Sequence, residues 1–388
     1  MVLSRPNIVY FTSFATDYAY FAFLFVITRL LAETGSSQWH LGVFGACTSI
    51  CYALSGPLAG ALSDRIGRRR VILSGAAGAI AVLLICSTWR SRPLFYVAGA
   101  FFGVAAALIY PPLIAWLTED GRDTSRRLFG FCIAWNTGVI VAQVSGGWLY
   151  AVRPQLPLLV AAVPMVGVLA LMLTGRPAAP SGPSAAPAAG PPTATHDSPS
   201  SARVFVYLAW LSNLAGAFSF SLLVHLFPYL AHESGISPPV HGVMLALNRM
   251  GVIGTYVLMY RFTFWRYRLW TAVASQLLAM AGLALLGFAG SVPVLTLGLV
   301  LTALMLGYNY FASIYYSTVA FGTERKGAAS GMHEASLAMG SGLGALGGGL
   351  LGALYGARAP YRFCVILLGV FMALQWAIWR CRRDTPRR

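Results

Sequence analysis

The sequence predicts an all-α membrane protein of twelve transmembrane helices in two six-helix, pseudo-symmetric halves. Three observations predict it. Of 388 residues, 57% are hydrophobic and 10% charged, with a mean hydropathy of +0.69. Soluble domains carry about 25% charged residues, so the solvent of this chain must be lipid. Apolar runs of the ~20 residues needed to cross a ~30 Å hydrocarbon core recur twelve times. One stretch, residues 176–203, is rich in Pro, Ala, Ser and Gly, has almost no large apolar residue, and divides the runs six and six.

The first six spans fall near 8–31, 41–62, 71–89, 93–117, 128–150 and 157–175. The second six fall near 204–230, 241–263, 269–289, 293–318, 328–356 and 361–380. The predicted organisation is an N-terminal bundle (1–175), a flexible cytoplasmic linker (176–203) and a C-terminal bundle (204–388). The composition of the linker is that of a flexible tether. The first apolar run is too long for a signal peptide and lacks a small-residue cleavage pattern.

Loop charge sets orientation. One side carries Arg5, the cluster at 65–70, Arg122, Arg126, Arg127, Arg176, Arg203, Arg261, Arg266, Arg268, Arg325, Lys326 and the C-terminal arginines. The other carries Arg29, Arg90, Arg92, Arg153, Arg358 and Arg362. Basic loops stay in the cytoplasm, so both termini are placed there, in a bacterial-type inner membrane. The same placement accounts for the net charge of +16 without nucleic acid.

The halves repeat. AETGSSQWHLG (32–42) matches AHESGISPPVHG (231–242), so that Glu33, Gly35 and Gly42 fall on Glu233, Gly235 and Gly242. Gly138, Gly146 and Gly147 of span 5 are echoed by Gly340, Gly348 and Gly349 of span 11. Small residues at such spacing let helices approach closely, here between the halves. Two like halves of six spans form a transporter layout.

GPLAGALSDRIGRRR, residues 56–70, joins spans 2 and 3. Gly67 permits a tight helix-to-helix turn. Asp64 stands at a helix C-terminus, where the dipole disfavours an anion and calls for a compensating partner. The pattern Gly60-x-x-x-Asp64-Arg65-x-Gly67-Arg68-Arg69 resembles the loop 2–3 signature of the major facilitator superfamily, complete at every position. The second half departs from it in YRFTFWRYRL (260–269), where Phe264 replaces the acid and Tyr267 the glycine. The resemblance implies that family's fold and alternating access, with these six residues as a conformational switch. It implies that Asp64 latches the halves through the start of span 11, near Gly327 to Ser330. It also implies that spans 1, 4, 7 and 10 line a central cavity. Gly138-x-x-x-Ala142-Gln143-x-x-Gly146-Gly147 resembles the glycine motif of exporters, with Ala-Gln where Gly-Pro is expected. Gly99 stands where proton-linked drug exporters carry an arginine, which counts against a proton-driven multidrug reading.

Ionisable residues inside a membrane are functional candidates by default. Asp17 lies about ten residues, or ~15 Å, into span 1, on a polar face with Ser13 and Tyr20. Arg249 of span 8 and His333 and Glu334 of span 11 are the other coupling or gating candidates. Arg249 and Glu334 differ in depth by ~10 Å, too far to pair, whereas Arg249 with Asp17 forms a possible gate across the halves. Cavity candidates are Tyr110, ahead of Pro111-Pro112 where the helix should break, Trp135 and Asn136 of span 5, and Asn213 and Ser219 of span 7. Span 10 adds Asn309, Ser313 and Tyr316. Such aromatic and amide groups suit a small neutral or amphipathic organic solute.

Other classes lack their motifs. No GxxxxGK[ST] supports an ATP-driven motor, and no HExxH or GxSxG an enzyme. The six cysteines form no CxxC pair and read as small apolar residues. His225, His232 and His241 lack zinc spacing and read as surface or interface residues, so no metal or cofactor is expected. The sequence thus predicts a monomeric secondary transporter using an ion gradient, chiefly protons, with export favoured. The alternatives are an uptake carrier for a sugar-like or nutrient solute and a non-transporting sensor or assembly factor on the same scaffold.

Overall fold

The structure, a computed structural model, describes residues 4–119, 124–174, 199–320 and 326–383, with all their side chains except those of 124–125, 199–203, 318–320, 326–332, 335 and 382–383. Every regular element among them is a helix, and twelve helices are long and apolar enough to cross a membrane. The first half holds α1 (Arg5–Glu33), α2 (Gln38–Ile66), α3 (Arg68–Thr88), α4 (Arg92–Thr118), α5 (Thr124–Val152) and α6 (Leu156–Thr174). In the second half, α7 runs as Pro199–Ser221, a π turn Leu222–Leu226 and Phe227–Glu233. It is followed by α8 (Pro238–Arg261), α9 (Leu269–Phe288), α10 (Val292–Ala320), α11 (Lys326–Tyr355) and α12 (Ala359–Arg383). The start of α7 at Pro199 lies inside the stretch read as linker.

Local chemistry explains the irregular points. The α4 helix is interrupted between Ala107 and Tyr110, as expected where Pro111 and Pro112 remove two backbone donors. The turns after α1 and α7 are copies of one another. Gly35 and Gly235 have φ of 71° and 69°, and Ser36 and Ile236 donate back to the carbonyls of Leu31 and Ala231 at 3.0 and 2.8 Å. That left-handed glycine with its long back-bond is a Schellman ending, and it makes the sequence repeat structural.

The α2–α3 turn places Gly67 at φ +94°. Its counterpart Tyr267 also has positive φ, 55°, a costly conformation for a residue with a side chain. Tyr316 offsets the cost by accepting the Tyr267 N–H at 2.7 Å, with the two rings packed at 5.3 Å. Gly67→Ala is expected to destabilise the protein by about 1 kcal/mol, read as a lower melting temperature of the purified protein, because a Cβ is strained at that φ and no described neighbour within 4 Å offsets the cost.

Two arginines of this turn have partners in the first half. Arg68 lies 3.7 Å from Glu119, which also pairs with Arg5 at 3.0 Å. Arg69 donates to the carbonyls of Leu171 and Met172, capping the end of α6. Arg65 is exposed.

Helices α1 and α7 are central, with 89% and 83% of their apolar windows buried, against 17% for α12. Within the halves, α1 packs on α5 and α7 on α11. Across them, α2 packs on α11 and α8 on α5.

Candidate functional site

The two seams between the halves follow the repeat. A side chain at Gly42 would meet the Ala345 carbonyl at 2.5 Å and Gly349 Cα at 2.8 Å. A side chain at Gly242 would meet the Gln143 carbonyl and, at 3.4 Å, Gly147 Cα. The glycines shared by the first repeat therefore pack against those shared by the second. Gly147 and Gly349 serve the seams, whereas Gly138 and Gly340 lie against α1 and α7 of their own halves. Gly60 has no described atom within 4 Å of where a Cβ would stand. Gly99 admits Thr48 and Phe44 of α2, so it is a packing position.

Both seams lie toward the end opposite the termini, the far face. There Arg29 pairs with Glu33 at 2.6 Å and donates to the Ile236 carbonyl at 3.0 Å, and Tyr150 donates to Glu33 at 2.7 Å. His225 and His241 are buried in this region and are interface, not surface, residues. His225 lies against Gly45 of α2, and His241 stacks on Phe25 of α1 at 4.8 Å. The structure is thus a state closed at the far face. Toward the termini, Phe129 stacks on Tyr260 at 4.3 Å across the halves, while Gly56 and Gly60 of α2 face no described atom within 4 Å. The Asp64 side chain is 70% exposed and 3.9 Å from Arg68 of its own half. The side chains at Gly327 to Ser330, its expected partners, lie outside the described residues.

Between the seams is a cavity with an empty volume of about 1130 Å³, part of it open to solvent. Asp17, Tyr20 and Tyr110 line it from the first half, with Trp135 of α5. Asn213, Arg249, Asn309 and Glu334 line it from the second. Tyr110 donates to the Asp17 carboxylate from the second segment of α4. Tyr52 of α2 donates to Glu334 of α11 at 3.0 Å, and Ser49 meets Ser341 at 3.1 Å one turn closer to the far face. Asn213 spends its amide on the His333 carbonyl and Ser336, and Asn309 on the Ser212 carbonyl.

Other candidates face away. Tyr316 serves the α8–α9 turn, and Ser219 bonds Cys364 at 3.3 Å and the Ala215 carbonyl. Ser313 and His333 bond each other at 2.7 Å behind the wall. Asn136 donates to the Cys132 carbonyl, and Ser13 is buried beneath the surface. In most cases a polar group in an apolar bundle has found an acceptor, or a buried place, within its own half; Asn136 also reaches Tyr256 of the other half. The expected Arg249–Asp17 pair is not among the ion pairs of the described residues. Asp17 takes a tyrosine hydroxyl instead, and the Arg249 guanidinium lies 4.1 Å from the Phe220 ring and 5.7 Å from that of Phe21.

Residues the sequence reading passed over include Tyr52, Ser49 and Phe220. A signal existed for the first two. Gly42, Gly45, Ser49 and Tyr52 recur at helical spacing on one face of α2, opposite Gly349, Ala345, Ser341 and Glu334.

The profile of the Major Facilitator Superfamily matches residues 9–215 and again 209–388. The chain belongs to that superfamily. It is a multi-pass membrane protein and a secondary transporter, not an enzyme. Multidrug resistance protein 1 of Bacillus subtilis (strain 168) is 24% identical over 92% of this chain and 91% of its own. The class C tetracycline resistance protein of Escherichia coli is 32% identical, but over only 35% of each chain, about a third of its length. Among solved structures, a bacterial homologue of the human lysosomal transporter Spinster, inward-facing and occupied, superposes with a TM-score of 0.75 at 15% identity, covering 99% of this chain and 98% of that one. The nucleoside transporter NupG gives 0.72 at 12% identity, over 97% and 99%. Such identities carry the fold and no more.

Proposed function

We propose that the protein is a proton-coupled exporter of a small amphipathic organic solute, working by alternating access in a bacterial-type inner membrane with both termini cytoplasmic. The carrying observation is Asp17, a carboxyl buried mid-membrane in a cavity lined from both halves and hydrogen-bonded by Tyr110. A carboxyl in that place can take and release a proton as the cavity changes sides. The aromatic lining suits an amphipathic solute. Export is favoured by the span-5 glycine motif and by the relatives named for multidrug and tetracycline resistance. The basic loops support the orientation, and the far face would then be periplasmic.

The test is transport in proteoliposomes with a solute panel that includes tetracycline. A pH gradient should drive accumulation by the parent protein. Asp17→Asn should abolish that accumulation and retain exchange of solute down its own gradient. Normal gradient-driven accumulation by Asp17→Asn would refute the coupling role.

A further inference from the structure

We infer that Arg249 is the anchor for a carboxylate and that the solute is an aromatic organic anion. This rests on the carrier reading above and sharpens its substrate class.

Arg249 is 5% exposed and lines the cavity, and among the described residues it makes no hydrogen bond and no ion pair. Its described ring contacts are the faces of Phe220 and Phe21, and Asp17 and Tyr256 lie within electrostatic range without bonding it. Such rings stabilise a guanidinium through their faces, but they accept none of its five N–H donors. None of its nitrogens is among the sealed, partnerless polar atoms of the described residues, so the guanidinium opens on the cavity, where an incoming anion can reach it.

The cavity's own anions are engaged elsewhere. Asp17 accepts from Tyr110, and Glu334 accepts from Tyr52. Their tyrosine donors come from α4 and α2, so each carboxyl takes its hydrogen bond from a group other than the guanidinium, and Asp17 meets Arg249 only through space. The repeat sharpens the contrast. Gly42 corresponds to Gly242, so Arg249 occupies the place of Ser49, whose hydroxyl is satisfied by Ser341 across its seam. The second seam has a guanidinium at that level, and its counterpart of Ser341 is Val139, which can accept nothing.

The missing acceptor has a definable shape. A guanidinium presents a planar fork that matches a carboxylate in two parallel bonds. Around it the walls are aromatic: Phe21, Phe220, Tyr256, Trp135 and Tyr310. Trp135 and Tyr310 meet edge to face at 5.6 Å across the two halves. A flat aromatic body with one carboxylate would stack on these rings and place its charge on Arg249.

The experiment compares three probes of one shape: naphthoate, naphthamide and naphthylmethylammonium. Binding to the purified protein in nanodiscs and counterflow in proteoliposomes are measured for each. Naphthoate is expected to bind about tenfold or more tighter than naphthamide, with naphthylmethylammonium weakest. Arg249→Gln should remove the naphthoate advantage and leave naphthamide binding within about twofold. Arg249→Lys keeps the charge without the fork, so it should retain a reduced preference for naphthoate and control for misfolding.

The inference is overturned if the parent binds amide or ammonium as well as carboxylate, or if Arg249→Gln keeps the preference. In those cases the carrier reading stands. If no probe of any charge binds or moves while tetracycline is transported, the carrier reading again stands and this one falls. If nothing on either panel moves, both fail.

Discussion

Gly42→Val is expected to abolish transport while leaving both halves folded. The added Cβ would sit 2.5 Å from the Ala345 carbonyl and 2.8 Å from Gly349 Cα, both backbone atoms that cannot swing aside. Overpacking of this kind costs ~1–3 kcal/mol or more. The clash is made between halves, so its cost falls on the far-closed state and not on either bundle alone. A bias of ~3 kcal/mol moves a two-state equilibrium by about 150-fold. Gly242→Val should act alike through Gln143. Gly56→Val is the control on the same helix, since no described atom lies within 4 Å of its Cβ. In a cysteine-free background, Ser49→Cys should react with an impermeant maleimide from the far face faster and more completely when Gly42→Val is present. Normal transport by Gly42→Val, or no change in labelling, would show that the seam does not open during the cycle.

That seam was half legible in the sequence. The glycine echoes identified close packing between like halves, because a repeat of small residues at helical spacing has few other uses in lipid. The twelve spans were legible for a simpler reason, since a bilayer imposes one length on every crossing helix. What the pattern could not give is direction around each helix. Ser219, Ser313 and Tyr316 stand on helices that do line the cavity, yet they bond to Cys364, His333 and Tyr267 behind it. A polar side chain in hydrocarbon needs a partner, and a cavity and a neighbouring helix satisfy that need equally. Depth was similarly incomplete for Arg249. Its level matched Asp17, but depth does not say that Tyr110 reaches the carboxyl first. Phe21 and Phe220 carried no signal, because in an apolar span a phenylalanine that cradles a cation looks like any other.

The second large effect is expected at the far face itself. Arg29 is 4% exposed, pairs with Glu33 and donates to the carbonyl of Ile236 in the α7–α8 turn. Glu33 in turn holds Tyr150 of α5. One side chain thus ties α1, α5 and the opposite half. Arg29→Met keeps the apolar stem and removes the bonds. Glu33 is 31% exposed, so water can recover part of its solvation. The bond that crosses the halves is the one from the Arg29 guanidinium to the Ile236 carbonyl, and losing a hydrogen bond from a charged donor costs the closed state about 2 kcal/mol. That corresponds to about a 30-fold shift away from the closed far face. Spin labels at Trp39 and Tyr355, both exposed near the far ends of α2 and α11, should report a longer distance population in Arg29→Met. Glu33→Gln keeps an acceptor for Tyr150 and should shift the distribution less. Arg29 acts by a bond and the glycines by the absence of a clash, yet both bear on one state. Gly42→Val combined with Arg29→Met should therefore be less than additive in transport, since a far face already open has no Arg29–Ile236 bond left to lose. Full additivity would mean that the two sites govern separate motions.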